Sequence, residues 1–316
     1  MFKNKIILIT GGSGSWGNEL TSQLLSKGVK EIRIFSRGEI SQVAMQRKFL
    51  NPKLKFIIGD VRDLDSLTEA CKEVDFIYHL AALKHVPICN EWVLEAIKTN
   101  ILGTVNVVKA AINNKVKKVI DVSTDKACSP LNLYGMTKAI GEKLILNADK
   151  TSDYTRFVVI RGGNALGSNG SVVPHFINQI KTQNKVEITD IEMTRYFLTL
   201  PEAVGLLITA TKARYTGGIF VMKMPSFKIV DIAKKLIEKY GNPSTKIEII
   251  GVREGEKLHE VLVSEYESKD THLYGSKYYY IGKNSTWPKV EFKEYTSNSD
   301  LKGDKEIEEL LTKGNF

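Results

Sequence analysis

The chain has 316 residues, 45 Lys and Arg against 36 Asp and Glu for a formal net charge of +9, and a hydrophobic share of 42%. That length suits one large domain or two smaller ones, and this much apolar material builds a sizeable core, which excludes disorder as the main state. The longest apolar stretch, near Ala203 to Ala210, falls far short of the ~18–20 residues of a membrane span, and the opening MFKNKIILITGG lacks a signal peptide's apolar block.

In chain order, short runs rich in Ile, Val and Phe predict strands at Lys5–Thr10, Glu31–Phe35, Leu54–Ile58, Asp75–Leu80, Lys117–Ser123 and Arg156–Arg161. Such runs are apolar enough to be buried on both faces. Between them, sets such as Leu20, Leu24, Leu25 and Leu64, Leu67, Cys71 have helical spacing. Strands alternating with helices pair in parallel through right-handed crossovers, so the fold expected is α/β, a Rossmann-like doubly wound parallel sheet. After Arg161 the rhythm changes: Gly162, Gly163, Gly167 and Gly170 crowd one loop, and helices follow at Pro201–Arg214, Val230–Tyr240 and Lys305–Leu311. We place a dinucleotide-binding domain at residues 1–163 with a returning segment near 196–222. A smaller C-terminal α/β substrate domain takes 164–195 and 223–316.

The segment Thr10-Gly11-Gly12-Ser13-Gly14-Ser15-Trp16-Gly17 follows the first strand and opens a helix, with Gly11, Gly14 and Gly17 at GxxGxxG spacing. Glycine lets the backbone turn tightly against a pyrophosphate, and the helix N-terminus offers free N–H groups to the anion. The position between strand and helix supports dinucleotide binding over a plain turn. The second strand ends in Ser36 and Arg37, where an NAD enzyme usually carries an acid. Arginine pairs with a 2′-phosphate, which predicts NADP over NAD. Asp60 and Val61 close the third strand, where the adenine is expected, and Ala81 and Ala82 end the fourth, small enough for the cofactor to lie close.

Tyr134 and Lys138 are spaced i and i+4 on a predicted helix and share a face, just after a strand that ends Ser123-Thr124-Asp125-Lys126. A tyrosine with a pKa of ~10 is a poor base near neutrality, and a neighbouring ammonium favours the phenolate. The three cysteines (Cys71, Cys89, Cys128) form no disulfide framework and show no zinc spacing. A reducing cytoplasm is the expected home, with Cys128 a buried filler and no metal site. The positive balance fits a nucleic acid or a polyanionic small molecule such as a nucleotide sugar. The basic residues are scattered and not interleaved with aromatics, which disfavours nucleic acid.

The stretches TGGSGSWG, FSRGE, IGDVRD, AALKHVP, KTNILGT, STDKACSPLNLYGMTK, GNALGSNGSVVPHF, ITDIEMTRYF and REGEKLHE resemble the extended short-chain dehydrogenase/reductases. More narrowly, they are similar to the inverting UDP-N-acetylglucosamine 4,6-dehydratases of surface-sugar and flagellin-sugar synthesis. The Thr124-Asp125-Lys126 triplet is typical of that group, where dTDP-glucose dehydratases carry Thr-Asp-Glu, and Tyr134 separates the chain from relatives with Met there. The resemblance implies a tightly held, recycled NADP and a UDP-sugar substrate. It gives Tyr134, held by Lys138 and helped by Thr124, the proton of the carbon 4 hydroxyl. Lys126 becomes the base at carbon 5 and Asp125 the acid for the departing carbon 6 hydroxyl. The base must be neutral, so the Lys126 pKa is expected to fall toward ~7–8. The resemblance further implies Lys84 and Asn100 lining the cofactor pocket, Asn100 there to order backbone and water near the active site, with Lys84, Asn164, Val172 and Thr189 at the substrate. Arg195 and Arg253 would approach its pyrophosphate, and Glu256 its ribose. It also implies a homo-oligomer, dimer or hexamer. Two departures stand out. Gly38 replaces a usual Asp, and Gly162 replaces a common Tyr, which would widen the pocket. A 4-epimerase, needing only Tyr134 and Lys138, is the nearest rival, and a non-catalytic NADP-binding sensor is the rival of another class.

Overall fold

The computed structural model describes residues 1–168, 170–283 and 286–316. The first half runs β1 (Ile6–Thr10), α1 (Ser15–Leu25), β2 (Glu31–Ser36), α2 (Glu39–Phe49), β3 (Leu54–Ile58), α3 (Leu64–Ala70) and β4 (Phe76–His79). It continues with α4 (Val86–Glu91), α5 (Val93–Ile97), a π-helical turn at Lys98–Leu102, α6 (Gly103–Asn113), β5 (Lys118–Thr124), a 3-10 turn at Asp125–Ala127, α7 (Leu133–Thr151) and β6 (Arg156–Gly162). All six strands lie where the apolar runs placed them.

The second half is more broken: β7 (Asn164–Ala165), α8 (Val172–Gln183), β8 (Lys185–Ile188), β9 (Thr194–Leu198), α9 (Leu200–Lys212), β10 (Ile219–Met222), β11 (Ser226–Lys228) and α10 (Ile229–Tyr240). Then come β12 (Lys246–Ile249), β13 (Val261–Val263), α11 (Glu265–Ser268), β14 (Thr271–Tyr274), β15 (Tyr278–Ile281), β16 (Tyr295–Thr296) and α12 (Asp304–Lys313). A capping box at Thr199 and Glu202 starts α9 and fixes where the returning helix begins.

Nine strands form the main sheet in the order β14-β15-β10-β6-β5-β4-β1-β2-β3. From β10 to β3 the pairing is parallel, and β15 and β14 add antiparallel at one edge. Residues 271–281 therefore join the same sheet as residues 6–162, although the sequence places them with the smaller unit. Strand order reverses at β1, which pairs with both β2 and β4. In open sheets of this kind a ligand crevice opens there, beyond the strands' carboxyl ends.

Alternation along each strand builds two cores. Ile6, Leu8, Ile77, Val119 and Val159 face one side with Leu67, Val107 and Ile145 of α3, α6 and α7. Ile7, Ile9, Ile34, Ile120 and Val158 face the other with Leu20 and Leu24 of α1 and Leu206 and Leu207 of α9. Each fully buried Leu or Ile contributes about 1.5–3 kcal/mol, so the sheet is a rigid platform for the crevice at its edge. A third core, with Val173, Phe176, Ile188, Ile232, Leu236 and Leu310, holds α8, α10 and α12 together over the carboxyl half.

Candidate active site

A cleft of about 850 Å³ lies across the carboxyl ends of β1, β2, β4, β5 and β6. The glycine loop forms its floor. Gly11 adopts φ +67° with the site of a Cβ only 2.8 Å from the backbone of Ala81, so a side chain there meets both strain and the end of β4. A Cβ on Gly17 would strike the Gly12 carbonyl, which is why α1 can start so close to the loop. Gly14 caps α1 with no side-chain hydrogen bond, and the first turn carries no acid. That leaves the positive end of the helix open toward the cleft and suited to an anion. Ser15, Trp16, Val61, Ala81, Ala82 and Lys84 line the same cleft. The space opened by Gly162 is met by the Trp16 indole, 3.5 Å from where a Cβ would sit.

Hydroxyl groups gather at the end of β2. Ser36 and Ser13 are 2.9 Å apart, Ser41 donates to Ser13 at 3.0 Å, and the Gln42 amide donates to the Ser36 hydroxyl and carbonyl and to the Ile57 carbonyl of β3. Arg37 stands beside them with a side chain 54% exposed, its guanidinium 4.0 Å from Asp60. Asp60 is engaged more closely by Arg62, at 2.6 Å. Burial would raise the Asp60 carboxyl, but the Arg62 and Arg37 charges hold it below its ordinary value. Ser41 and Gln42 carry no motif signal and emerge only from the packing of α2 on β2, where Ser41 meets Ser13 of the glycine loop and Gln42 meets Ser36.

The acid–base groups sit at the end of β5. The Asn132 side chain caps α7 through Gly135 N–H, and Gly135 packs directly on the Lys126 carbonyl, where any Cβ would clash. The helix carrying Tyr134 is thereby pressed against the turn carrying Asp125 and Lys126. Lys126 Nζ lies 2.9 Å from Asp125 Oδ1 and 3.0 Å from Glu260 Oε1. The Thr124 hydroxyl donates to Asp125 Oδ1 at 3.0 Å. Thr124, Lys126 and Tyr134 line the cleft, whereas Asp125 is buried behind them, 1% exposed. Burial raises the Asp125 carboxyl, with Glu260 adding to the rise and Lys126 opposing it.

Two expectations are corrected here. Burial works to lower the Lys126 pKa, but the Asp125 and Glu260 carboxylates outweigh it and drive it up, not down toward neutrality. Tyr134 is pushed up to about 12 by burial, and the opposing influences are the Lys126 charge and a hydrogen bond to Thr124. Lys138 instead pairs with Asp121 at 3.5 Å, both of them buried beneath the cleft.

Beneath the cleft lies a polar seam that the motifs did not reveal. Thr104 donates its hydroxyl hydrogen to Asn100 O, so at 3.1 Å it accepts from His79 Nε2–H, and His79 Nδ1 accepts from Thr10 at 2.8 Å. Burial lowers the His79 pKa to about 4, which keeps this ring neutral. Asn100 spends its amide on the Leu83 backbone and on Thr137 rather than facing the cleft.

Among the substrate-side residues, Asn164 and Val172 line the cleft. Thr189 is buried with its hydroxyl on Met193 Sδ. Arg195 is buried, bonded to the Thr194 and Leu258 carbonyls and paired with Glu256 at 3.2 Å and Glu260 at 3.7 Å. Glu256 Oε2 also accepts from Arg253 N, while the Arg253 side chain is exposed. Behind this wall Arg161, 1% exposed, bridges Glu142 of α7 at 2.7 Å and Glu267 of α11 at 2.9 Å. The three cysteines are free and buried, and burial pushes the Cys128 thiol up to about 12, which makes it unreactive. Among the described residues no His, Cys, Asp and Glu cluster can hold a metal, and no helix is long and apolar enough to cross a membrane.

Residues 7–282 match the family described as polysaccharide biosynthesis protein. A UDP-glucose 4-epimerase of Rickettsia bellii (strain OSU 85-389) is 46% identical over 284 residues, 88% of this chain and 83% of that protein. One of Rickettsia rickettsii (strain Sheila Smith) is 48% identical over 273 residues, 84% of this chain and 80% of that protein. The X-ray structure of Pen from Bacillus thuringiensis superposes with a TM-score of 0.95 at 38% identity, covering 100% of this chain and 99% of that one. DesIV, a dTDP-glucose 4,6-dehydratase from Streptomyces venezuelae solved with NAD and TYD, shares the fold with a TM-score of 0.74 at 20% identity, over 80% and 86% of the two chains.

Proposed function

The chain belongs to the polysaccharide biosynthesis protein family, an enzyme of the nucleotide-sugar dehydratase and epimerase superfamily built as an extended short-chain dehydrogenase/reductase, and within it we propose an NADP-dependent 4,6-dehydratase acting on UDP-N-acetylglucosamine with inversion at carbon 5. The observation that carries this reading is the Asp125–Lys126 pair. A 4-epimerase needs an acid–base group only at carbon 4, which Tyr134 provides. A buried carboxyl and an amine 2.9 Å apart beside that tyrosine supply the further acid and base that an elimination requires.

The cleft fits a nicotinamide dinucleotide. The Gly11 and Gly17 backbones and the open N-terminus of α1 would hold the pyrophosphate, and Ala81 and Ala82 leave room above β4. Ser13, Ser36, Ser41 and Arg37 together offer three hydroxyls and a guanidinium where a 2′-phosphate would sit, which supports NADP over NAD. A nicotinamide held there would supply the hydride acceptor for carbon 4 and the hydride donor for carbon 6.

The chain's own groups handle the protons. Tyr134 accepts the proton of the carbon 4 hydroxyl, with Thr124 and the Lys126 charge stabilising its phenolate. Asp125, whose pKa burial raises, is the acid that in its protonated form donates to the carbon 6 hydroxyl as it departs. Lys126, whose side chain is 22% accessible, first releases its ammonium proton to solvent and then, as the neutral amine, takes the carbon 5 proton. Return of a proton to carbon 5 from the opposite face inverts that centre. Arg195 and Arg253, near Glu256, suit the diphosphate and ribose of the substrate. The domain division at residue 163 would seat the sugar between the two halves, and a homo-oligomer in a cytoplasmic setting is part of the same proposal. Incubation with UDP-N-acetylglucosamine followed by NMR at carbons 4, 5 and 6 tests the proposal. The expected product is a 4-keto-6-deoxy sugar inverted at carbon 5.

The second reading is a 4-epimerase, favoured by the names of the Rickettsia relatives. It predicts a change of configuration at carbon 4 with carbon 6 still hydroxylated.

A further inference from the structure

Glu260 is assigned to no step above, yet it is the least expected charge in the site. It is 1% exposed, and its Oε2 has no hydrogen-bond partner among the described residues. Its Oε1 lies 3.0 Å from Lys126 Nζ and 3.7 Å from Arg195 Nε. A carboxylate taken out of water is costly unless paired, and one removed from its partners leaves an uncompensated charge. The fold nonetheless fixes this one rigidly. Glu260 N–H donates to Ser297 Oγ at 2.9 Å, and Ser297 N–H donates back to Glu260 O at 2.9 Å. The following strand β13 pairs with β16, so the clamp is built from the far end of the chain.

We infer that Glu260 is a positioning residue for Lys126: it pins the amine beside Asp125 and ties it to Arg195, so that a single carboxylate connects the acid–base pair to the arginine placed on the substrate side. Its catalytic meaning rests on the dehydratase reading, but its effect on the amine does not.

The groups facing Lys126 come from four elements. Asp125 belongs to the same turn, Thr124 ends β5, Tyr134 comes from α7 and Arg195 from β9. Glu260 is the added anion, and Lys257, bonded to Cys128 O, is the further cation that acts on it. Asp125 is pushed toward its neutral form by burial, while Glu260, though burial would raise it, is held ionised by Lys126 and Arg195. Glu260 is thus the carboxylate that balances the ammonium. Two positive groups share its Oε1, and whichever anion occupies Arg195 changes how much of that oxygen remains for Lys126.

The test reads the amine directly. Lys126 keeps 22% of its side chain accessible, so competitive acetylation of the full-length protein across a pH series, read by peptide mass spectrometry, reports its protonation without any substrate. In Glu260→Gln the midpoint for Lys126 labelling should move to lower pH by about 1–3 units, the size of one close charge. That raises its labelling roughly tenfold or more at a fixed pH, while surface lysines stay unchanged. Glu260→Asp keeps the charge and should fall between the two. It decides the question if the Gln variant does not fold, as checked by circular dichroism. A Lys126 profile in either folded variant that superposes on the wild type overturns the proposal. Formation of a 4-keto-6-deoxy product by the wild type is scored separately. Its absence with the labelling shift present rejects the dehydratase reading and leaves the Glu260 assignment standing. With the product formed, the rising limb of kcat/KM against pH should shift in the same direction as the labelling.

Discussion

The two ends of the cleft are made by opposite means. At the glycine loop, the demand is steric: Gly11, Gly14 and Gly17 lie within seven residues, and the contacts are backbone against backbone, Gly17 on Gly12 within the loop and Gly11 on Ala81. At the acid–base end, each decisive group answers to partners far along the chain. Lys126 meets Glu260, and Arg161 meets Glu142 and Glu267. Steric demands of a tight turn are written locally, whereas electrostatic demands are set by whatever the fold brings near. The first kind of site can be recognised in a motif, and the second cannot be tuned on paper without the fold.

The largest expected effect is at the acid–base end. Lys126→Ala and Asp125→Asn should each lower turnover by about 10²–10⁴-fold, the usual worth of a placed general acid or base. NADP affinity, measured by fluorescence titration, should stay near wild type, because the cofactor end shares none of those contacts. Turnover within a few fold of wild type in either variant would remove that group from the chemistry and favour the epimerase reading.

The next effect is on stability. Arg161→Met keeps the packing of the stem but leaves buried Glu142 and half-buried Glu267 without the cation that bridges them. Breaking a buried pair by removing one partner costs about 3–5 kcal/mol, and urea unfolding should show it. An equivalent change at the open end, Arg62→Met beside half-exposed Asp60, should cost under about 1 kcal/mol, since exposed ion pairs contribute little. Equal losses at the two positions would erase the contrast between the ends.

The pH dependence sharpens the same contrast, because two buried groups titrate on the acid side. The folded His79 pKa lies near 4 and the unfolded one near 6.5. The unfolded chain therefore binds the proton first, and stability falls as pH drops from about 6.5 to about 4, by about 3 kcal/mol in all. Glu267 acts lower. Burial would raise its carboxyl, but Arg161 holds it down at about 2 against an ordinary 4.5. Its contribution is complete above about 4.5 and lost as pH falls toward 2. Melting temperatures from pH 8 to pH 3 should decline in two stages. His79→Gln should remove the first stage and leave the second.

How much of this was legible in the sequence follows the same division. All six strands of the first half, the loop glycines and the placement of Tyr134 on a helix were readable, because alternation, turn sterics and i, i+4 spacing are local properties. The Lys126 pKa was expected to fall, as desolvation alone would require. It rises because Glu260 is delivered by the β13–β16 pairing, which no local pattern announces. Asn100, read as lining the cofactor pocket and ordering backbone beside the active site, does order backbone: its amide binds Leu83 N–H and C=O and also Thr137, through a π-helical turn that the segment KTNILGT does not signal. Edge strands β14 and β15 were likewise missed as part of the main sheet, since they pair antiparallel and lie far from its other strands in sequence.

The smallest expected effect tests the cofactor end. Arg37 is more than half exposed and its ion pair among the described residues is with Asp60, at 4.0 Å, so the fold does not depend on it. Its replacement should leave the melting temperature unchanged. If the hydroxyls of Ser13, Ser36 and Ser41 and the Arg37 guanidinium form a 2′-phosphate pocket, Arg37→Ala removes one charge-assisted hydrogen bond of about 1.5–3 kcal/mol, discounted for solvent. NADP affinity should then fall roughly tenfold while NAD affinity stays fixed, because NAD has no group at that position. Ser41→Ala, which removes a neutral donor, should cost less, about threefold. A parallel loss for both cofactors would mean that Arg37 acts on the adenine or ribose common to them. In that case the pocket does not discriminate, and Asp60, freed from one of its two arginines, becomes the residue to examine at the ribose.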